Sequence, residues 1–420
     1  VTAETNTEAP KKPAPADQES FLSVFTRNLW ASNNVLITTL SIVLAVIIGA
    51  VLIVVSDADV LAKFVYFTAR PSDALNASWT LISEAYADLL KGAFGDPAVF
   101  QAWFDGTATW QEAFAPLSET LTYAAPLVFT GLSVALAFRG GLFNIGAQGQ
   151  AVLGCVVAGA AGFTFGLPIV LNLVVALLAG VIGGALWGFI PGLLKARTGA
   201  HEVITTIMLN YTAALFLSWL VIQKGVQAPG RTDAISKSVA ESAQLPSPGG
   251  ILRVHLGILI AVLVTAGVAW LLKRSAFGFE IRAVGANPHA AQTAGISVGR
   301  TYVLLMAVAG GLAGLGGATQ VLGTAYALTP AVAGNIGFDG LLVALLGRNR
   351  PWGTFFAALL FGALRAGGNR IQSYAGISLE LVTVLQALIV IFIAAPALVK
   401  AIFRLRAARV TGAGTSLAKG

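Results

Sequence analysis

Val35–Val55 reads VLITTLSIVLAVIIGAVLIVV, 21 residues without one charge. An α-helix rises 1.5 Å per residue, and roughly 20 apolar residues cross a hydrocarbon core. The stretch therefore predicts a membrane-spanning helix. It is too long for the apolar region of a secretory signal, which runs to roughly 7–15 residues. It also follows a polar, Pro-containing segment, 1–34, which reads as a disordered cytoplasmic tail. Outward from this stretch, further apolar segments recur at 120–138, 151–167, 169–194, 203–222, 256–272, 301–322, 338–347, 352–368 and 380–399. The fold expected is an all-α membrane protein of about ten transmembrane helices, one domain over 35–400, with a basic cytoplasmic tail at 401–420. Segment 338–347 is too short to cross alone and must borrow from the loop before it. Lipid offers backbone polar groups no partner outside their own segment, and no period-2 alternation marks a membrane barrel.

Composition agrees. Hydrophobic residues make up 56% of the chain and charged residues 11%, against roughly 25% charged in a soluble domain. The net charge of +7 sits at the flanks of apolar segments and builds no patch with interleaved aromatics, which argues against nucleic acid. The single cysteine, Cys155, excludes an internal disulfide framework and a cysteine zinc site.

Lys/Arg bias sets the orientation. With ten spans and the N-terminus inside, the cytoplasmic face collects Arg139, Lys195, Arg197, Lys273, Arg274, Arg282, Arg300, Arg348 and Arg350, and both termini are cytoplasmic. The first outer loop, 56–119, is acidic and long, with Trp79, Trp103 and Trp110 among polar residues. It reads as short interfacial helices anchored by tryptophan, a reading compatible with a docking platform for an external partner.

A short motif occurs twice. Asn144-Ile145-Gly146-Ala147-Gln148-Gly149 returns as Asn335-Ile336-Gly337-Phe338-Asp339-Gly340, with Thr122-Tyr123 and Thr301-Tyr302 opening the preceding spans. The first copy follows a span running inward and the second a span running outward, so the halves read as a 5+5 inverted repeat. Transporters often carry interrupted helices at matching positions of such halves, beside the pathway. The plainer reading is a loop that caps the next helix. Phe143, Asn144, Gln148, Asn335, Phe338 and Asp339 are pathway candidates on this basis, joined by Asn210 and Tyr211 in the span 203–222. Gln320, Arg365, Glu380 and Gln386 are further polar residues in apolar context, and Arg365 is expected to snorkel or pair.

The longest inner loop is 273–300. Asn287-Pro288 reads as a helix start, with Asn as cap and Pro at the first helical position. Ala290, Ala291 and Ala294 would then offer a small-residue face to a partner's cleft. The run Gly310–Gly317 reads as close helix packing, since no Walker Lys-Ser/Thr follows it. Gly295-Ile296-Ser297-Val298-Gly299 matches G-x-S-x-G but leads into a span, where the strand–turn–helix of a hydrolase has no place. No metal site and no catalytic residues are apparent.

Taken in order, these segments resemble a known family. Gly141–Gln150, Glu202–Tyr211, Arg282–Pro288 with Ala290, Ala291 and Gly295, and Gly337–Gly340 with Pro351-Trp352-Gly353 are similar to the hallmark segments of permeases in bacterial ABC importers for nucleosides and simple sugars. The resemblance covers roughly 120–400. It implies a transport subunit of the cytoplasmic (inner) membrane, not an enzyme, translocating nucleosides or, alternatively, a pentose or hexose. It implies a second related permease, ATP-binding domains (often fused in one chain) that carry ATP-Mg, and an extracytoplasmic substrate-binding lipoprotein. No cofactor is implied in this chain. Glu280, Arg282, Gly285, Asn287, Ala290, Ala291 and Gly295 match the loop that couples to the ATPase. The family often has Glu where this chain has Gln148. An ion-coupled secondary transporter is the rival class, and it would need a carboxylate or His relay inside the membrane.

Overall fold

The computed structural model of the protein describes residues 34–395, 398–399 and 402–403. The expected tails at 1–34 and 401–420 lie almost wholly outside them. The order begins α1 (Asn34–Ser56), α2 (Ala58–Phe64), α3 (Pro71–Phe94), α4 (Pro97–Phe104), α5 (Trp110–Arg139), α6 (Ala147–Thr164), α7 (Ile169–Thr198) and α8 (Glu202–Leu220). It continues with α9 (Gly257–Arg274), α10 (Ala276–Ala286), α11 (Pro288–Thr293), α12 (Val298–Gln320), α13 (Ile336–Leu346), α14 (Pro351–Ala375) and α15 (Leu379–Ala394). Among the described residues the only β pairing is two isolated bridges, Gln227–Ser236 and Gly249–Leu252. Six helical stretches among the described residues are long and apolar enough to cross a membrane: 39–56, 110–139, 169–198, 202–220, 257–274 and 298–325. Helices 336–346 and 379–392 are apolar but shorter.

α5 and α12 form the centre. α5 is buried almost all round from Ala124 to Ala137, as expected of a helix that is apolar on every face and enclosed by other helices. Phe129, Leu132 and Leu136 from α5, Leu305 and Met306 from α12 and Phe361 from α14 share one core. The outer helices present apolar surface instead: Leu178, Ile182 and Leu186 on α7, Met208 and Leu215 on α8, Leu259 and Leu263 on α9. Faces of this extent need an apolar solvent, which lipid supplies.

Between lipid-exposed helices the hydrophobic drive is small, so close backbone packing has to hold them. The glycine run on α12 does this against α7. A Cβ on Gly310 would strike the carbonyl of Gly184, one on Gly314 the carbonyl of Gly180, and one on Gly184 the carbonyl of Gly310. Only glycine lets these two backbones meet.

Segment 56–119 contains two short helices, α2 and α4, but α3 between them is longer than expected. α3 runs for 24 residues and buries Ala85, Leu89, Gly92 and Ala93. It packs against α14, where Arg370 reaches Asp88 at 3.4 Å and Asp96 at 3.1 Å. Its Tyr86 hydroxyl donates to the Val46 carbonyl of α1 at 2.6 Å. The charged residues that made the segment look like a loop are partly consumed by this packing. The span expected from 120 begins ten residues earlier, at Trp110, behind a capping box formed by Thr109 and Glu112.

The connection between α8 and α9 is an irregular strap latched onto the end of α12. Val239 N–H donates to the Tyr326 carbonyl at 2.8 Å, Leu245 N–H to Leu322 at 2.9 Å, and Ser236 N–H to Leu328 at 2.9 Å. At that end α12 loosens into a π turn, Val321–Ala325, and Tyr326 takes φ 56°. His255 fills the gap beside the Gly323 backbone and is 3% exposed. Burial, aided by Arg253, pushes its imidazolium pKa down to about 4 from the ordinary 6.5.

Two outcomes follow from these contacts. Gly310→Leu should destabilise the detergent-solubilised protein by at least about 1–3 kcal/mol through overpacking, read as a fall in thermal midpoint. Gly267→Leu, where a Cβ meets nothing within 4 Å, should shift it by no more than about 0.5 kcal/mol. Separately, His255 is neutral when folded and takes up a proton when freed. Its contribution is therefore full above about 6.5 and is lost as pH falls toward about 4. Amide exchange at 321–328 should accelerate through that window beyond its intrinsic pH dependence, and His255→Gln should remove the excess.

Candidate functional site

The two Asn-Ile-Gly segments, far apart in sequence, meet in the bundle. Each lies at the start of a helix, the first at α6 and the second at α13. A helix start leaves backbone N–H groups without partners, and two such starts inside a bundle need acceptors. Gln148, from the first segment, serves the second with both ends of its amide. Its Oε1 accepts from Gly337 N–H at 2.8 Å and its Nε2 donates to the Gly334 carbonyl at 2.7 Å. A Cβ on Gly337 would strike the backbone of Gln148, so the two segments touch main chain to main chain. From α5, the Thr130 hydroxyl donates to the Ile336 carbonyl at 2.8 Å.

The candidates fall into two groups. Asn144 is fully buried; its amide donates to Ser133 Oγ at 3.1 Å and to Gln150 Oε1 at 2.9 Å, while its Oδ1 accepts from Gln150 at 3.1 Å. Asn210 accepts from Gly149 N–H at 2.8 Å and donates to the Ile145 carbonyl at 3.0 Å. Both side chains hold the first segment in shape through these hydrogen bonds. Phe143 packs edge-on against Phe138, with centroids 4.6 Å apart. Tyr211 is 67% exposed on the outer face of α8, away from this cluster. Glu202 pairs with Lys195 at 2.9 Å across the turn from α7 to α8.

Asn335 and Asp339 belong to the second group. They line a cavity of about 310 Å³ with Tyr123, Gln320, Arg365 and Gln386, backed by Pro126, Leu127, Ile336 and Phe361. Arg365 thus enters a shared polar cavity with Asp339 instead of snorkelling alone. Next to it, Asn369 Nδ2 donates to the Tyr123 hydroxyl at 2.9 Å. Phe338 is 44% exposed and does not line the cavity. Tyr123, Gln320, Arg365 and Gln386 come from four different helices, α5, α12, α14 and α15. Gln320, Arg365 and Gln386 stand out in the sequence by their polarity within apolar segments, whereas Tyr123 is marked only as part of the Thr-Tyr pair that opens a span. Few residues of this type are tolerated in lipid unless they face protein or water. Chemically the cavity offers a carboxylate, a guanidinium, three amides, a phenol and an aromatic wall, enough to bind an uncharged polar solute by hydrogen bonds and ring contact.

The loop 273–300 contains one helix more than expected. Ser275 caps α10 through Gly278 N–H at 2.8 Å. Asn287 caps α11, its Oδ1 accepting from His289 N–H at 3.0 Å and Ala290 N–H at 3.1 Å, with Pro288 first in the helix as expected. Ala290 and Ala294 are exposed, but Ala291 is only 4% exposed and faces inward, so it is no part of the outer surface. Arg282 is exposed and Glu280 half-buried, and Gly295 turns with φ 85°. Gly285 sits against the Arg139 carbonyl, where a Cβ would clash, and 3.3 Å from where a Cβ on Gly141 would lie. The loop is therefore in backbone contact with the turn that leads to Asn144.

Fold and site together define a multi-pass helical membrane protein with a polar cavity among its central helices. A family model described as branched-chain amino acid transport system / permease component matches residues 117–394, and the chain belongs to this family of ABC transporter permeases. It is 40% identical over 297 residues to the guanosine ABC transporter permease protein NupP of Bacillus subtilis, covering 69% of this chain and 84% of that protein. The glucose ABC transporter permease protein TsgB13 of Haloferax volcanii is 33% identical over 287 residues, 66% of this chain and 75% of that protein. A second B. subtilis protein, the guanosine ABC transporter permease protein NupQ, is 29% identical over 252 residues, 58% of this chain and 78% of that protein. The relatives are permeases, transport components rather than enzymes.

If Asn210 is structural, Asn210→Leu should strand Gly149 N–H and the Ile145 carbonyl at about 1–3 kcal/mol per buried group. Thermal unfolding in detergent should then show a marked loss of stability, while Tyr211→Leu stays near wild type. Equal effects of the two substitutions would contradict the assignment.

Proposed function

We propose that the chain is the membrane-spanning permease of an ATP-driven importer and that its solute is a nucleoside. The cavity lined by Tyr123, Asn335, Asp339 and Arg365 carries this reading, together with the 40% identity to a guanosine permease. Amides can meet the edge of a base, the aromatic wall its face, and Asp339 the ribose hydroxyls. At about 310 Å³ the cavity falls at the lower end of the range for small-molecule sites, roughly 300–1,000 Å³. The membrane segments would be ten, in two inverted sets of five related through the Asn-Ile-Gly segments, with both termini cytoplasmic. The meeting of those segments at two helix starts supports this arrangement.

Asn335, Phe338 and Arg365 are exposed in the single chain, which favours a second permease completing the pathway. The match of two B. subtilis permeases at different identities is consistent with a related partner of that kind. ATP-Mg would be held by a separate ATPase docked on α10 and α11, at a surface that includes Arg282, Ala290 and Ala294, and a binding lipoprotein would deliver solute from the other side. A simple sugar is the second reading, favoured by the likeness to the glucose permease and by side chains equally able to bind sugar hydroxyls.

The test is uptake in the native host with the chain's gene deleted and restored. Restored uptake of labelled guanosine, competed by adenosine or uridine but not by glucose or ribose, is expected; the opposite competition pattern would establish the sugar reading. Asp339→Leu and Asn335→Leu should each lower that uptake by about tenfold or more, from the loss of one or two hydrogen bonds to solute. Tyr211→Leu should leave it unchanged.

A further inference from the structure

At the end of the bundle where α5 and α9 finish and α14 begins, a cleft of about 720 Å³ is lined by Arg139, Lys273, Arg282 and Arg350, with Ala269, Leu272 and Trp352 forming an apolar wall. The four cations come from α5, α9, α10 and the residue before α14, so folding gathers them. Among the described residues no carboxylate lines the cleft. Among the described residues none pairs with Lys273, Arg282 or Arg350. Arg139 uses its Nε on the Asn349 carbonyl at 2.9 Å, which fixes the guanidinium without neutralising it. α14 starts here with Pro351 and has no side-chain cap, so a helix N-terminus adds its partial positive charge.

Like charges held this close repel unless an anion stands among them. The apolar wall says what kind of anion. Ala269 and Leu272 lie on α9 in the turn before Lys273, and Trp352, 42% exposed, lies two residues after Arg350. A water-soluble anion would gain nothing from that wall. An amphiphile with a charged head and acyl chains would use both parts, with the Trp352 indole at the headgroup level where such rings concentrate. We propose that this cleft is a binding site for an anionic phospholipid, its phosphate held by Lys273 and Arg350 and its chains lying against Ala269 and Leu272. Basic pockets between membrane helices are suited to such headgroups. The proposal rests on the membrane assignment and is independent of the transported solute.

The full chain, purified and delipidated in a neutral detergent, would be titrated with phosphatidylglycerol, phosphatidylcholine and inorganic phosphate, with binding followed by native mass spectrometry and thermal midpoint. Phosphatidylglycerol should bind and raise the midpoint, phosphatidylcholine and phosphate should not, and the double variant Lys273→Gln/Arg350→Gln should bind phosphatidylglycerol at least about tenfold more weakly. Should that variant not fold, Ala269→Trp, which fills the apolar wall and keeps every charge, should weaken binding in the same assay. Equal binding of phosphatidylcholine would overturn the proposal. So would a shift produced by phosphate alone, which marks a free-anion site, or unchanged phosphatidylglycerol binding in the variants.

Discussion

The structure depends on how two helix starts can face each other inside a membrane protein. Each start exposes unpaired N–H groups and a partial positive charge, so bringing two together is unfavourable unless something supplies acceptors. Gln148 does this with one planar amide that accepts from Gly337 and donates to Gly334. A carboxylate at this position could accept but, when ionised, could not donate, which gives a physical meaning to the glutamine in this chain. Asn210 performs a similar service for the first segment from the neighbouring helix. The polar cavity exists because these contacts allow the second segment to stop short, leaving Asn335 and Asp339 at its wall.

Much of this was legible in the sequence, for identifiable reasons. Apolar length marks spans because lipid rewards little else, and α1, α7, α8, α9 and α12 lie where it placed them. The repeated Asn-Ile-Gly segment was visible as a motif, as was the start of α11 at Asn287-Pro288, since helix caps are local chemistry. What was not legible was non-local. α3 carries Asp73, Asp88 and Lys91 and so reads as a loop; only the pairing of Asp88 with Arg370, remote in sequence, turns part of that charge inward. The hydrogen-bond partners of Asn144 and Asn210 were not legible either, because a buried amide that binds solute and one that binds backbone have the same composition. Which way each points is decided by its neighbours, and the sequence does not state who they are. Ala291 is a similar case: an alanine in a short helix carries no mark of its inward face.

The two kinds of close packing here divide the labour. Along α7 and α12, glycine lets two backbones lie together where lipid competes for every apolar side chain. Around the α8–α9 strap, hydrogen bonds from irregular backbone to the loosened end of α12 replace helix geometry with a latch. The first joins main chain to main chain directly, the second through hydrogen bonds, and the cavity residue Gln320 sits directly before the latched turn.

The crossing of Gly285 over Arg139 has a mechanical consequence. Most contacts between neighbouring elements run through side chains, which can change rotamer and absorb a displacement. At this crossing no side chain intervenes, and main chain bears on main chain. A shift of α10 by a fraction of an ångström would therefore reach the turn before Asn144 almost undamped, as through a rigid strut. The turn is in its place within a dense hydrogen-bonded core of low compressibility, so the motion would pass on to the start of α6 and, through Gln148, to α13.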